Sequence, residues 1–265
     1  MFVIEADHPW MICSLFYRRL IMDCLMNPVI DTILEHCSIR SFTNEPIPKE
    51  QLDTIISAGI AASSSSLLQV NSIIRITDKE KRKALVELSG GQPYVEGAAE
   101  FLVFCIDFQR HYEMNPEIKA EFTELTLIGA VDAGIMAQNC LLAAESMGLG
   151  GVYIGGLRTN AQGVDDLLEL PKNTAVLFGM CLGYPNQAPQ KKPRLSPDVI
   201  VHENTYQPLD KSKIDEYDEI MQSYYARRST NQKQSSWSEQ ITGKLSQESR
   251  PHIKGYLNNK GLAIK

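Results

Sequence analysis

Leu125–Met147 reads LTLIGAVDAGIMAQNCLLAAESM and runs directly into GLGGVYIGG at Gly148–Gly156. The first part is the longest helical pattern in the chain, and it is apolar on nearly every face. Gly129, Ala130, Ala133, Gly134, Ala137, Ala143 and Ala144 keep its surface shallow. A helix of that kind is expected to be buried, within the domain or at a subunit interface, where small residues allow close approach. Gly148–Gly151 ends it, and Val152–Ile154 follows as a short strand. Helix, glycine turn, then strand is the reverse of a Rossmann phosphate turn, whose glycines leave a strand and open a helix. The glycines are therefore a helix stop and not a dinucleotide fingerprint.

The same reading extends in both directions. Upstream, Phe101–Ile106 (FLVFCI) is a continuous apolar run, expected as a strand buried on both faces. Asn71–Thr77 (NSIIRIT) reads as a shorter strand, and Lys79–Leu88 as a charged surface helix. Asn27 can cap a helix with Pro28 at its first position, and Ile30, Ile33, Leu34 and Cys37 form its apolar face. Leu52, Ile55, Ile56, Gly59 and Ile60 line a second helix, broken by the serines at 63–66. Downstream, Ala175–Cys181 is another strand and Ile214–Ala226 a helix. A polar stretch from Arg228 to Ser236 precedes a last helical region. Helices and strands do not alternate regularly, which predicts an α+β domain over residues 26–265, with a C-terminal extension. Residues 1–25 show no amphipathic period and are expected to be a poorly ordered or non-native extension.

Composition excludes several classes. The chain has 265 residues, 43% of them hydrophobic, and a net charge of −6. A packed core is expected, and general nucleic-acid binding is not, because it needs a cationic surface. Six cysteines without CxxC spacing point to a reducing compartment, the cytoplasm. No stretch reads as long and apolar enough to span a bilayer; Arg18 and Arg19 interrupt Met11–Met26. Walker, HExxH and GxSxG motifs are absent, and no metal site is expected.

Several clusters suit an anion or a flat ligand. His36, Ser38 and Arg40 gather near a helix end, and Lys192 and Arg194 form a second basic pair. Guanidinium, ammonium and hydroxyl together suit a phosphate monoester. Each cluster taken alone is also ordinary solvated charge. The serine run offers hydroxyls and amides, or a plain turn. Gly155-Gly156 after a strand permits close approach to a ring, or makes a turn. Arg227–Lys233 (RRSTNQK) could grip a second phosphate, or be a surface loop.

Taken in order, SIRSFTNEPI (38–47), ASSSSLLQ (62–69), SIIRITD (72–78), GGQPYVEGAAEFLVFCIDFQRH (90–111), AAESMGLGGVYIGGLR (143–158), KKPRL (191–195), HENTYQPLD (202–210) and ESRP (248–251) carry a family likeness. The chain resembles the group A oxygen-insensitive NADPH nitroreductases, close to the NADPH-FMN flavin oxidoreductases, from about Met26 onward. The resemblance implies a nitroreductase fold with a central mixed β-sheet flanked by helices, an intertwined homodimer, and FMN at the subunit interface. It implies two-electron, ping-pong hydride transfer from NADPH to nitroaromatics (nitrofurans) or quinones at flavin N5, with no side-chain acid or base. Alternatives are a flavin reductase that supplies reduced FMN to a partner, and a non-catalytic flavin-binding module. By the same resemblance His36, Cys37, Ser38, Ile39, Arg40, Lys192 and Arg194 hold the FMN phosphate and ribityl chain. Ser64, Ser65, Ser66, Gln92, Tyr153, Ile154, Gly155 and Gly156 surround the isoalloxazine. Arg228 and Lys233, with Arg158 assisting, meet the NADPH 2′-phosphate. The family has HRSIR where this chain has HCSIR, so one cationic contact is replaced by Cys37. It is also richer in arginine around Lys233-Gln234, which implies a weaker preference for NADPH over NADH.

Overall fold

The computed structural model describes residues 27–228 and 233–265. The expected N-terminal extension, Cys13, Cys24 and the middle of the RRSTNQK loop lie outside them. Four strands form one sheet: β1 (Asn71–Arg75), β2 (Glu100–Asp107), β3 (Gly150–Ile154) and β4 (Thr174–Gly183), in the order β1-β2-β4-β3. All three pairings are antiparallel. The α+β class stands, but among the described residues the sheet is not the mixed one expected. No two neighbouring strands run the same way.

β2 lies inside the sheet and carries two cores. Phe101 and Val103 enter one, with Leu85, Val164 and Tyr256; Leu102 and Phe104 enter the other, with Ile55, Leu141 and Met180. The pairing with β4 slips between Phe104 and Cys105. Beyond the slip, Cys105 and Ile106 join the same core, which strict alternation would forbid. Burial on both faces explains why FLVFCI reads as an unbroken apolar run.

The first core is covered by α3 (Lys79–Leu88), α7 (Ala161–Leu168) and α11 (Ile253–Asn259). Arg82 departs from the expected surface helix: it is buried, and its guanidinium donates to the carbonyls of Ile76, Ala98 and Ala99. α11 is fixed by a buried polar triad. Lys260 Nζ pairs with Asp165 Oδ2 at 2.7 Å. Tyr256 Oη donates to the same carboxylate at 3.1 Å and accepts the Val176 N–H.

The second core is covered by α2 (Lys49–Ile60) and α6 (Thr123–Ser146). They cross closely at Gly59, where a β-carbon would lie 2.3 Å from Cys140 Sγ. α6 meets the length and composition of a bilayer-spanning helix, contrary to the sequence expectation. Here it packs on α2 and the sheet through Ala133, Ala137, Cys140, Leu141 and Ala144. It is not buried all round, because Leu127, Val131 and Ile135 at helical spacing remain open to solvent. α1 (Pro28–Leu34) is capped by Asn27 as expected. Its apolar residues are not buried: Val29, Ile30, Ile33 and Leu34 are exposed on the described chain.

Among the described residues the remaining α-helices are α4 (Tyr94–Gly97), α5 (Gln109–Met114), α8 (Pro197–Ile200), α9 (Lys211–Ala226) and α10 (Trp237–Leu245). Tyr217, Met221 and Tyr225 of α9 form a small satellite core with Leu195 and Trp237.

Candidate functional site

The segment after α1 has no regular structure, yet it is held firmly. Ile39 is buried, and its N–H donates to the Gly151 carbonyl of β3 at 2.9 Å. Thr43 N–H donates to Tyr184, and Asn186 N–H to Ser41. With Ile39 turned inward, its neighbour Arg40 is left exposed, beside the loop that follows β4.

That loop is held from the other side by α9. Tyr217 Oη donates to the Pro193 carbonyl at 3.0 Å, and Leu195 packs into the satellite core. The Cys37 thiol donates to the Pro189 carbonyl at 3.5 Å. His36 Nδ1 lies 2.5 Å from Glu145 Oε1 at the end of α6, which orients the ring.

The result is a cavity of about 110 Å³ lined by His36, Cys37, Ser38, Arg40, Lys192 and Arg194. Tyr224 and Arg228 also line it, and among the described residues no carboxylate does. Three of the sequence-predicted clusters therefore converge. Neither Arg40 nor Lys192 has an ion-pair partner among the described residues. Partial burial holds the Lys192 ammonium below the usual lysine range, and repulsion from Arg194, Arg228, Arg40 and Lys233 lowers it further. Converging cations without an acid are unfavourable in isolation and favour a bound dianion. Burial is also the main cause that raises the Cys37 thiol, with the Glu35 carboxylate adding to it.

The serine run lies elsewhere. Ser64 lines a separate cavity of about 440 Å³ together with Gln69, Arg110 and Asp132. The two cavities share no lining residue. Ser64 Oγ donates to Asp132 Oδ2 at 2.8 Å, so its proton is already used, while Ser65 and Ser66 are exposed.

Gln92 and Gly156, the second glycine of the pair, meet. A β-carbon on Gly156 would lie 2.1 Å from Gln92 Nε2 and 2.3 Å from the Ser89 carbonyl, so only glycine fits. Tyr153 is partly exposed, its hydroxyl bonded to Gln138 and its ring edge-on to Phe178. Ile154 is buried, leaving only its backbone for a ligand. Lys233 bonds Gln240 and sits over the Tyr225 ring, near which Arg228 also lies. Arg158 lies beside Gly155, 3.5 Å from where a β-carbon there would sit. Its guanidinium turns inward to the Leu177 carbonyl and does not line the cationic cavity.

Two participants were missed in the sequence. Tyr224 gives no sequence signal. Asp132 does: it is the single charge between Leu125 and Ala144, a carboxylate amid apolar residues.

Family models match both parts of the chain. Residues 33–184 match the nitroreductase family, and residues 192–265 match its C-terminal domain. The chain belongs to the nitroreductase family. It is 67% identical over 238 residues to the NADPH-flavin oxidoreductase of Vibrio harveyi, covering 90% of this chain and 99% of that one. It is 50% identical to the oxygen-insensitive NADPH nitroreductase of Salmonella typhimurium, covering 91% and 100%. Among solved structures, nitroreductase A from Vibrio parahaemolyticus superposes with a TM-score of 0.88 at 67% identity, over 91% of this chain and all of that one (100%). The Vibrio harveyi NADPH:FMN oxidoreductase complexed with NAD+ gives 0.86 at 64%, over 90% and 100%.

Proposed function

We infer that this chain is an NADPH-dependent FMN oxidoreductase that reduces nitroaromatics and quinones by two-electron, ping-pong turnover. The observation that carries the reading is the convergence of Arg40, Lys192 and Arg194 on one cavity that, among the described residues, no carboxylate lines. That donor set fits a phosphate monoester, with Ser38 adding a hydroxyl. FMN, when bound, supplies hydride acceptance and donation. Arg40, Lys192 and Arg194 would hold its phosphate. Gly156 would leave its backbone open beside Gln92, and Ser65 and Ser66 would meet the ring. Arg228 and Lys233 would recognise the 2′-phosphate of NADPH, with Arg158 assisting. With no side-chain acid or base assigned, protons come from solvent.

The serine loop and the cationic cavity share no lining residue, and one face each of α1 and α6 stays apolar and open. Both features support a homodimer in which one protomer contributes the serine loop to its partner's flavin. A second reading is a reductase that delivers reduced FMN to another enzyme; the Vibrio harveyi relative, an NADPH-flavin oxidoreductase, supports its flavin-reducing half. Two experiments test these readings. The purified protein should be yellow and should bleach on anaerobic NADPH addition; a colourless protein refutes the flavin assignment. A nitrofuran should be turned over with higher kcat/KM than free FMN; the reverse favours the second reading.

A further inference from the structure

The loop Ser64–Gln69 is strained: Ser66, Leu67 and Gln69, none of them glycine, have φ of 50°, 57° and 52°. Left-handed backbone in three of four residues persists only where surrounding bonds over-determine it. Those bonds come from two helices. On α6, Asp132, 5% exposed, accepts the Ser64 hydroxyl at 2.8 Å and the Ser65 N–H at 3.1 Å. Ser64 Oγ in turn accepts the Gln69 N–H at 2.9 Å, which closes the loop on itself. On α5, Arg110 donates to the Gln69 carbonyl at 3.0 Å, and His111 Nε2 lies 2.8 Å from that of Leu68. No cation pairs with Asp132 among the described residues. Its charge is satisfied by this loop, so the loop's shape and the carboxylate are mutually dependent.

We propose that Asp132 is the positioning residue of the flavin-ring site. Through Ser64 it fixes the left-handed loop that presents Ser65 and Ser66, and Ser64 itself is a relay and not a ligand. This rests on the flavin reading above and assigns its ring end a specific support. The Ser64 proton cannot serve a ligand while it bonds Asp132, so the contacts fall to the exposed hydroxyls of its neighbours. An ionised acceptor holding two donors contributes more than a neutral bond, and its loss frees the backbone to relax out of the left-handed region.

The test compares FMN with riboflavin, which lacks the phosphate, by fluorescence quenching on the deflavinated full chain. Asp132→Ala should weaken both ligands by the same factor, roughly tenfold or more. Ser64→Ala, which leaves the Ser65 N–H bond to Asp132 in place, should weaken both ligands by a smaller factor, and the double variant should be no worse than Asp132→Ala alone, as expected when Ser64 acts through Asp132. Ser64→Thr should restore binding, since Ser64 has extended backbone (φ −129°) that suits a β-branched residue and keeps the hydroxyl. A merely structural loss would not be rescued by Ser64→Thr, nor be non-additive. Unchanged affinity in Asp132→Ala, or additive losses in the double variant, overturns the proposal. Should Asp132→Ala not fold, Asp132→Asn, which keeps the size of the side chain and one acceptor oxygen but removes the charge, takes its place under the same outcomes. Failure of the wild-type protein to bind either flavin refutes the functional reading instead.

Discussion

Replacing Arg40 by alanine should cost FMN affinity and leave riboflavin affinity unchanged. A charge-assisted hydrogen bond to an ionised group contributes about 1.5–3 kcal/mol. Taken alone, that corresponds to roughly ten- to a hundredfold in Kd. The structure moves the expectation to the lower end. Arg40 is among the cations that hold Lys192 below the usual lysine range, so its removal relieves repulsion in the apoprotein. Pairs of exposed charges interact by no more than about 1 kcal/mol after screening. A loss near tenfold therefore remains. The assay is quenching of FMN and riboflavin fluorescence by deflavinated protein at two salt concentrations, where added salt should shrink the FMN advantage. A parallel fall for both ligands would place Arg40 at the ring or in the scaffold, and it would refute the phosphate assignment.

Other outcomes follow from the same geometry. Arg228→Ala should raise the KM for NADPH with little change in kcat, since the contact is remote from hydride transfer; steady-state kinetics with NADPH and NADH compare the two. Because Lys192 titrates below its usual 10.5, the folded apoprotein binds fewer protons than the unfolded chain in the window beneath that value. Its stability should rise with pH there, and the rise should flatten in Lys192→Met, as read by urea midpoints. Lys260→Met leaves the Asp165 carboxylate buried with Tyr256 as its remaining side-chain donor, and should cost about 3–5 kcal/mol in denaturant unfolding. Burial pushes the Cys140 thiol up to about 11 and that of Cys105 up to about 12. Among the described cysteines, maleimide at pH 8 should therefore label partly exposed Cys37 first, as peptide mass spectrometry would show.

The elements were legible where burial imposes a period. FLVFCI announced a central strand because both of its faces are covered, and the capping pair Asn27-Pro28 marked the start of α1. Strand direction was not legible, since apolar runs look alike in parallel and antiparallel sheets. The exposure of α1 and of one face of α6 was also hidden: periodicity reports a face that avoids water, not the body that covers it. At the site, each basic cluster was visible as charge. Their convergence depends on Ile39 locking to β3 and on Tyr217 holding Pro193, contacts that span more than a hundred residues in one case and about twenty in the other.

That no carboxylate among the described residues lines the cationic cavity has a practical consequence for handling the protein. Any small dianion in the buffer becomes a conditional part of the structure. Phosphate or sulfate should raise the melting temperature of the deflavinated form by mass action and compete with FMN during reconstitution. Cofactor affinities measured in phosphate and in a zwitterionic buffer should consequently disagree, the first always reading weaker.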